Sequence, residues 1–465
     1  MLRKLEKSNA HFQTALQRLP LGVSSNFRYW GDDKTIYVKR GEGARLWDID
    51  GNEYIDYRLG YGPAILGHCH PEVDAAAREG QKVGTVYALG TEKELAVAEL
   101  IHDMMPGADL VRFSNSGTEA VMAALRLARA VTGRDGYVTF EGSYHGVFDA
   151  AMWRADIEHL EDLNAEPEII TYGKGIPGLI RSLVWQVPYN DPTRLEDVLK
   201  KNASKIAAVL IEPILGNCCG IPSQPEAIKA IRELCTKYDV LMIVDEVKTG
   251  FRVGRGGAQE YYGVRGDIFT VAKAMGNGYP IAGVCGREDL MRHYGRGVVH
   301  GGTYTAQAMS LAAAEKTLTI MRDTPVLANI AEYGRKMQTG MSRILNARGI
   351  PHSFAGHPSM GGLFFRAEPP KNYRDWKTSD YSFYDALAAN LIDRGVLCEP
   401  DSREPWFISS EHDERCLSDT LKAFECAVDV TLDQTKTGHQ EKFWVTMQAE
   451  FGSKKPAAAQ NAAAE

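Results

Sequence analysis

Short apolar runs alternate with longer amphipathic stretches through the middle of the chain. The apolar runs that fit strands buried on both faces are Leu110–Phe113, Gly136–Phe140, Ile206–Ile211, Val240–Val244 and Ile268–Val271. Helical patterns separate these runs, and the last such helix is predicted over Ala306–Met321. This alternation is typical of a parallel sheet with right-handed helical crossovers, so it predicts an α/β domain.

The flanking segments have different patterns. Before the α/β region we expect an amphipathic helix over Met1–Arg18, a strand at Ile36–Val38 and a hairpin over Ala44–Asp56, which contains an Asp-Gly-Asn turn. After it we expect helices over Leu327–Gly349, Tyr381–Arg394 and Leu417–Leu432, with a strand at Gly362–Ala367. These patterns predict a smaller α+β domain.

Four divisions of the chain follow from these patterns. Residues 1–70 form an N-terminal segment that belongs to the small domain and the substrate pocket, and residues 71–320 form the large domain. Residues 321–440 form the C-terminal small domain, and residues 441–465 form a tail. Positions 452–465 of the tail have low complexity, which predicts disorder.

Composition narrows the classes of function. The chain has 465 residues and a net charge of −7, from 53 basic and 60 acidic side chains, which argues against binding nucleic acid or an anionic membrane. We see neither a signal peptide at the start nor an apolar run of about 18 residues. The 8 cysteines are irregularly spaced, which predicts reduced thiols, no metal site and a cytoplasmic protein.

One polar stretch directly follows the first apolar run. Residues 113–120 have the sequence Phe-Ser-Asn-Ser-Gly-Thr-Glu-Ala and open a helical pattern, with Ser116 and Glu119 spaced as in a capping box. The first turn of a helix offers unpaired N–H groups and a positive dipole end, so this stretch suits a phosphate group. An ordinary helix start is the other interpretation. It is neither a Walker A loop nor a dinucleotide-binding glycine motif.

Two ionisable residues stand at the ends of later apolar runs. Asp245 either caps a helix or holds a cationic ring nitrogen, because a buried carboxylate without a partner is costly. Lys273 either extends to the surface or, when desolvated, attacks a carbonyl. A phosphate-binding turn, an aspartate and a lysine are what pyridoxal phosphate requires, so together they predict this cofactor.

Further motifs surround these residues. They are Gly60-Tyr61-Gly62-Pro63 with Leu66-Gly67-His68, residues 115–120, Gly142-Ser143-Tyr144-His145-Gly146, Ile211-Glu212-Pro213, residues 244–252, Ala272-Lys273-Ala274-Met275-Gly276 and Gly301-Gly302-Thr303-Tyr304. With them the chain resembles the class III, fold-type I aminotransferases that use pyridoxal phosphate, in the glutamate-1-semialdehyde aminomutase-like branch. The resemblance covers about residues 20–430. It implies a large domain with a mostly parallel, seven-stranded type of sheet and a smaller α+β domain.

The resemblance also implies roles for particular residues. Lys273 bonds to the cofactor aldehyde and carries a proton between substrate and cofactor, while Asp245 pairs with the pyridine nitrogen. The other implied cofactor contacts are Ser116, Gly117 and Thr118 at the phosphate, Val247 and Tyr144 on the two ring faces with His145 beside Tyr144, Glu212 and Asn217 near the ring, and Thr303 at the phosphate of the neighbouring subunit. A homodimer with shared active sites follows from the last of these.

Candidate substrate contacts are fewer. Arg28 lies in a loop that resembles the carboxylate-binding loop of the aminomutase branch, and Arg403 is a second candidate. Trp30, Tyr61 and Tyr87 are candidates for aromatic walls, although aromatic residues more often belong to a core. A surface position is the alternative for Arg28.

These features predict a transaminase with a ping-pong cycle. The donor is a primary amine, a β-amino acid or an ω-amino acid, and the acceptor is a keto acid, an aldehyde or a ketone. Bulkier, more charged residues at 152–172 and the Gly276-Asn277-Gly278 turn depart from the aminomutase pattern. A glutamate-1-semialdehyde-type 2,1-aminomutase or an amino-acid racemase remains the alternative in the same fold. A non-catalytic cofactor-binding protein and a nicotinamide oxidoreductase are the alternatives from other classes.

Overall fold

The computed structural model describes residues 3–436 of the chain, and the predicted tail at 441–465 lies outside the described residues. The strands, in chain order, are β1 Val38–Glu42, β2 Arg45–Asp48, β3 Glu53–Asp56, β4 Leu110–Ser114, β5 Gly136–Phe140, β6 Trp153–Ala155, β7 Ile169–Thr171, β8 Val184–Val187, β9 Ile206–Ile211, β10 Ile214–Leu215, β11 Ile221–Pro222, β12 Leu241–Asp245, β13 Ile268–Val271, β14 Ala282–Gly286, β15 Ser353–Ala355, β16 Met360–Phe364, β17 Val396–Leu397 and β18 Trp406–Phe407.

The helices surround these strands. In chain order they are α1 Glu6–Ala15, α2 Pro71–Lys82, α3 Glu92–Met104, α4 Gly117–Thr132, α5 Pro192–Asn202, α6 Pro225–Lys237, α7 Gly257–Tyr262, α8 Glu288–Met291, α9 Ala308–Asp323, α10 Val326–Asn346, α11 Tyr373–Trp376, α12 Tyr381–Ile392 and α13 Glu414–Lys436. No helix within residues 3–436 has the length and apolar character that crossing a membrane requires.

A seven-stranded sheet forms the centre of the molecule, in the order β4-β14-β13-β12-β9-β5-β8. Its strands are parallel except β14, which runs antiparallel to both of its neighbours. Every residue of β5 and β9 is buried, because helices cover both faces. The predicted α/β class and mostly parallel sheet are therefore confirmed, and the five predicted apolar runs form β4, β5, β9, β12 and β13.

Two strands of this sheet, β14 and β8, were not predicted because their hydrophobic patterns are weak. β14 contains Gly283 and Gly286, which lack the branched side chains typical of strands. A side chain at Gly286 would place its Cβ 2.7 Å from the Asp267 carbonyl oxygen, so close backbone packing requires glycine there. β8 is a half-buried edge strand, and its short Val-Trp-Gln-Val sequence alternates weakly.

Smaller sheets join distant parts of the chain. β2 and β3 form the predicted hairpin, and β1 pairs with β2 but begins at Val38, where the predicted strand Ile36–Val38 ends. β17 extends this sheet by pairing parallel with β3. The N-terminal segment thus shares a sheet with the C-terminal region. β16 begins two residues before the predicted Gly362, because Met360 and Gly361 pair with β18. α1 is shorter than the predicted Met1–Arg18, since the turn that begins at Pro20 follows it closely.

A buried arginine holds three parts of the chain together. Arg252 is completely buried. Its Nη1 donates to the carbonyl oxygens of Ser359 at 3.1 Å and Ile408 at 2.9 Å, and its Nη2 donates to that of Gly62 at 2.6 Å. These acceptors belong to the loop after β3 and to the segments before β16 and after β18. The side chain therefore fixes the N-terminal and C-terminal segments against the large sheet.

We expect Arg252→Met to destabilise the protein by about 3 kcal/mol or more, because the buried carbonyl groups of Gly62 and Ile408 lose their Arg252 donor and that of Ser359 keeps only the N–H of Ile408. Thermal and denaturant unfolding would measure the change. Arg255→Met is the matched control, since Arg255 is exposed and lies three residues further on. Equal stability of the two variants would contradict the role given to Arg252.

Candidate active site

The carboxyl ends of five strands meet at one edge of the large sheet, where open α/β sheets bind ligands. β4 leads into Ser116, β5 into Tyr144 and His145, and β13 into Lys273, while Asp245 is the last residue of β12. Glu212 directly follows β9 in the same way. The sequence-predicted cofactor residues therefore come from separate strands to this edge.

The turn between β4 and α4 is built as an anion site. The Ser116 hydroxyl accepts the N–H of Glu119 at 3.3 Å, and the Glu119 carboxylate accepts the N–H of Asn115 at 2.7 Å. This is the predicted cap, and it leaves the N–H groups of Gly117 and Thr118 without partners inside the helix. A Cβ on Gly117 would lie 2.9 Å from Val247, so only glycine allows Val247 to pack against this turn.

Asp245 and His145 form a buried pair beside this turn. The His145 Nδ1 lies 2.8 Å from Asp245 Oδ2, so Nδ1 carries the proton. Asp245 Oδ1 accepts the N–H of Val247 at 3.0 Å and the Thr270 hydroxyl at 3.3 Å. Among residues 3–436 the buried His145 Nε2 has no hydrogen-bond partner. The site thus holds a carboxylate with an imidazole beside it.

Glu212 holds two segments of backbone at the edge of the sheet. Its carboxylate accepts the N–H of Tyr144 at 2.8 Å and the N–H of Gly216 at 3.0 Å. Burial raises the pKa of Glu212, while the nearby His145 opposes that rise. Glu212 therefore joins the loop after β5 to the turn after β10. Burial also raises the pKa of the Tyr144 hydroxyl to about 12, so Tyr144 keeps its proton.

Lys273 stands two residues beyond β13 in a sparsely populated backbone conformation, with φ of 46°. Burial lowers the pKa of its amine to about 7, and the neighbouring Lys248 cation lowers it further, against Glu404, Asp245 and Glu212. A lysine with this pKa is about half neutral near pH 7 and largely neutral near pH 8, and a neutral amine is the form that attacks a carbonyl.

These residues fit pyridoxal phosphate. The α4 turn offers N–H donors to a phosphate, Asp245 offers a carboxylate to a protonated ring nitrogen, and Lys273 offers a neutral amine to an aldehyde. Val247 packs on the phosphate-binding turn and Tyr144 lies in the loop after β5. Within residues 3–436, no group of three or more His, Cys, Asp or Glu side chains is arranged to hold a metal ion.

The N-terminal loop contacts this edge through aromatic residues. The ring of Phe27 meets that of Tyr144 edge-on, with 6.3 Å between centroids. Arg58 donates to the Phe27 carbonyl oxygen at 2.8 Å and to the Tyr61 hydroxyl. Its guanidinium lies 4.5 Å from the Tyr61 ring and 4.9 Å from the Trp30 ring. Two of the predicted aromatic walls, Trp30 and Tyr61, are therefore gathered around Arg58.

A carboxylate from the far end of the chain completes this group. Arg58 Nε forms an ion pair with Glu399, and both side chains are largely buried. Burial raises the pKa of Glu399 to about 7, and Arg58 opposes that rise. The pair therefore connects the loop after β3 to the segment after β17.

The two predicted substrate arginines have different surroundings. Arg28 is exposed on the N-terminal loop. Arg403 is mostly buried, forms an ion pair with Asp401, and has its Nη1 3.7 Å from Glu158. The charge of Arg403 is thus already balanced by acidic neighbours.

Two further predicted residues lie on exposed segments. Tyr87 is 42% exposed and donates to the Val83 carbonyl oxygen, and Thr303 is exposed as well. The two segments lie side by side, because the N–H of Ala308 donates to the Thr85 carbonyl oxygen at 3.2 Å. These contacts of Tyr87 and of the Thr303 segment lie within and between the two segments and do not involve Lys273.

Four charged residues near the site received no role from the sequence. They are Arg58, Lys248, Glu399 and Glu404. Lys248 Nζ donates to Asn217 Oδ1 at 2.9 Å and to Glu404 Oε2 at 2.8 Å, so the predicted Asn217 faces a cation. Arg58 and Lys248 each follow an apolar stretch within a few residues, and this position was a sequence signal that they lie near the site. No local signal pointed to Glu399 or Glu404.

Comparison with known proteins agrees with this geometry. The family described as aminotransferase class-III matches residues 28–424. The glutamate-1-semialdehyde 2,1-aminomutase of Aquifex aeolicus is 36% identical over 430 residues, which cover 91% of this chain and 99% of the relative. That of Methanothermobacter thermautotrophicus is 37% identical over 422 residues, covering 90% of this chain and 98% of the relative.

Among solved structures, several transaminases are similar to this chain. An omega-transaminase from Sphaerobacter thermophilus has a TM-score of 0.86 at 29% identity, over 91% of this chain and 97% of its own. A transaminase with PLP bound has a TM-score of 0.84 at 28% identity, over 93% of this chain and 100% of its own. A beta-phenylalanine aminotransferase from Variovorax paradoxus has a TM-score of 0.80 at 26% identity, over 92% and 94%. The predicted cofactor, pyridoxal phosphate, is thereby confirmed.

The pKa of Lys273 generates a pH prediction. Apo-protein mixed with pyridoxal phosphate should gain visible absorbance about tenfold faster at pH 8 than at pH 6, with a plateau above pH 8, because a group of pKa about 7 loses its proton in that interval. Stopped-flow absorbance would measure the rate. A rise of about a hundredfold without a plateau is expected of a lysine with an ordinary pKa and would contradict this assignment.

Proposed function

Because the chain belongs to the class III aminotransferases, we propose that it moves an amino group to or from a small substrate, with pyridoxal phosphate as its cofactor. The observation that carries the proposal is the buried Lys273 amine, which shares one sheet edge with Asp245 and the first turn of α4. The chemistry supplied by the bound cofactor is an aldehyde for amine exchange and a ring that accepts electrons.

The chain's own residues have separate tasks in this proposal. Lys273 takes a proton from one carbon and returns it to another, which its pKa near 7 permits in both directions at neutral pH. Asp245 stabilises positive charge on the ring nitrogen from a site that is 4% exposed, where water screens little. The N–H groups of Gly117 and Thr118 hold the phosphate, and Glu212 fixes the loop that presents Tyr144.

The first candidate reaction is a 2,1-aminomutase reaction of the glutamate-1-semialdehyde type. The support is the 36–37% identity to two aminomutases over about nine-tenths of the chain. In that isomerisation the amino and oxo groups of 4-amino-5-oxopentanoate exchange places, giving 5-amino-4-oxopentanoate with no atoms gained or lost. This was the alternative to the transaminase predicted from sequence, and the relatives favour it.

The second candidate is intermolecular transamination with an amine, a β-amino acid or an ω-amino acid as donor. The omega-transaminase and the beta-phenylalanine aminotransferase support it, with TM-scores of 0.86 and 0.80. The charged residues that follow the Tyr144 loop also differ from the aminomutase pattern. In both candidates Lys273 and Asp245 have the same tasks.

The assembly proposed for this function is a homodimer with shared sites. The exposed segments that carry Tyr87 and Thr303 adjoin each other and include Leu89 and Tyr304, which are 80% and 64% exposed. A second copy covering them would bring Thr303 to its neighbour's phosphate-binding turn. All eight cysteines are free thiols, which supports the predicted cytoplasmic location.

One substrate comparison tests the proposed function. The holoenzyme is mixed with 4-amino-5-oxopentanoate alone, and separately with a β-amino acid or simple amine, with and without a keto acid. A mutase forms the isomeric amino ketone without an added acceptor. A transaminase loses visible absorbance with the donor alone and releases keto product when the acceptor is supplied.

The matched control in this comparison is Lys273→Ala, which we expect to abolish turnover in every reaction because no other amine occupies its position. Unchanged visible absorbance and turnover in that variant would show that the lysine assignment is wrong. Inversion of a single enantiomer without amino transfer would identify the racemase alternative instead.

Arg28 is the substrate arginine that the proposal favours, because the charge of Arg403 is already balanced by Asp401 and Glu158. We expect Arg28→Met to raise KM about tenfold or more for a substrate with a carboxylate, and to leave KM nearly unchanged for an amine that lacks one. Steady-state kinetics with a matched substrate pair would measure this. Arg403→Met is the control, and a selective rise in KM there instead would transfer the role to Arg403.

A further inference from the structure

A second buried lysine, Lys248, acts electrostatically on Lys273. Lys248 follows β12 by three residues, and its side chain is 7% exposed. Its Nζ donates to Glu404 Oε2 at 2.8 Å and to Asn217 Oδ1 at 2.9 Å. Glu404 is also mostly buried, with its side chain 12% exposed. Burying a charged pair in this way costs free energy unless the pair is fully hydrogen-bonded. We therefore ask what the pair does for the site.

The chain makes room for this lysine. A Cβ on Gly216 would lie 2.1 Å from the Lys248 Cδ and 2.8 Å from its Nζ. Only glycine at this position lets the lysine side chain cross the turn after β10 in the conformation described. The same turn is held by Glu212, which accepts the Gly216 N–H at 3.0 Å. The place of Lys248 is therefore built into the turn that also supplies Asn217.

The ammonium of Lys248 settles which way the Asn217 amide faces. An ammonium group can only donate hydrogen bonds, so the Asn217 atom that meets it must be the oxygen. The Nδ2 group of Asn217 is then directed away from Lys248 and remains a donor. A neutral side chain at position 248 would lose this constraint on the amide.

Lys248 and Glu404 influence Lys273 in opposite directions. The charged groups that face the Lys273 amine are Lys248, Glu404, Asp245 and Glu212. The Lys248 cation lowers the pKa of Lys273 and the Glu404 carboxylate raises it. Since the two charges bond to each other, their effects on Lys273 partly cancel while both are present.

We propose that Lys248 and Glu404 are positioning residues that together set the electrostatic environment of the Lys273 amine and fix the orientation of the Asn217 amide. The inference rests on the proposed role of Lys273 as the amine that binds the cofactor. Glu404 precedes β18 and Lys248 follows β12, so the charge around Lys273 depends on the C-terminal segment being seated against the large sheet.

The test uses Lys248→Met, Glu404→Gln and the double variant, with Lys248→Arg as the variant that keeps the charge. For each apo-protein, the rate of gain in visible absorbance with pyridoxal phosphate is measured against pH, together with the melting temperature. We expect the midpoint pH to rise by about one unit in Lys248→Met and to fall by about one unit in Glu404→Gln. The double variant and Lys248→Arg should lie near the unaltered protein.

The midpoint pH is expected to shift in opposite directions in the two single variants, and this distinguishes an electrostatic role from a loss of structure. A purely structural role would shift both single variants in the same direction, or shift only their melting temperatures, and either result would overturn the proposal. If Lys248→Met fails to fold, the fall in midpoint for Glu404→Gln still decides the sign. If the unaltered protein gains no visible absorbance, the role of Lys273 fails first, and this inference falls with it.

Discussion

Arg252 is a buried cation whose described acceptors are three backbone carbonyl oxygens from separate parts of the chain. The acceptor at Gly62 adjoins Tyr61, and the acceptor at Ile408 follows the strand that Glu404 precedes. The guanidinium also lies 5.3 Å from the Phe407 ring, and the Lys248 ammonium approaches the same ring at 6.0 Å. Arg252 is therefore one of the side chains that fix the loop after β3 and the segment around β18 against the large sheet.

With the N-terminal and C-terminal segments fixed against the sheet, charged residues that are far apart in sequence form ion pairs. Arg58 and Glu399 are 341 positions apart, and Lys248 and Glu404 are 156 apart. Each pair joins a loop after a strand to the segment between β17 and β18. Because each charge is largely buried, removing one partner would leave the other uncompensated, which costs more than losing a surface ion pair. The pocket is thus held by paired charges as well as by apolar packing.

The parts of the fold that sequence predicted are those with a local physical cause. Buried strands need continuous apolar residues, and helix starts need caps, so β9, β12 and the Ser116 cap were predictable. Lys273 and Asp245 were found because an ionisable residue is unusual at the end of a buried strand. β14 was missed because its glycines serve close packing rather than strand propensity. Glu399 and Glu404 were missed because only tertiary structure brings them to the site.

The two candidate reactions differ in whether the carbon skeleton of the substrate stays in the active site between the two steps. An intramolecular exchange must hold the carbon skeleton while its amino group is detached, whereas an intermolecular transfer must release it to admit an acceptor. The segment after β6 belongs to the stretch in which the sequence departs from the aminomutase pattern, and its backbone is held by two basic side chains. Arg374 donates to the carbonyl oxygens of Leu163 at 2.7 Å and Ala165 at 3.0 Å, and Lys377 donates to that of Leu160 at 2.5 Å.

These bonds tie the segment to the C-terminal region through its backbone, and the Glu158 side chain adds to them by accepting the Tyr373 hydroxyl at 3.0 Å. Arg374 is itself held by a bidentate ion pair with the buried Glu141, which directly follows β5. The segment after β6 is therefore anchored to the same sheet edge that carries Tyr144 and His145. Since residues 152–172 are where the sequence departs from the aminomutase pattern, this anchoring keeps the departure close to the edge at which both candidate reactions would use Lys273 in the same way.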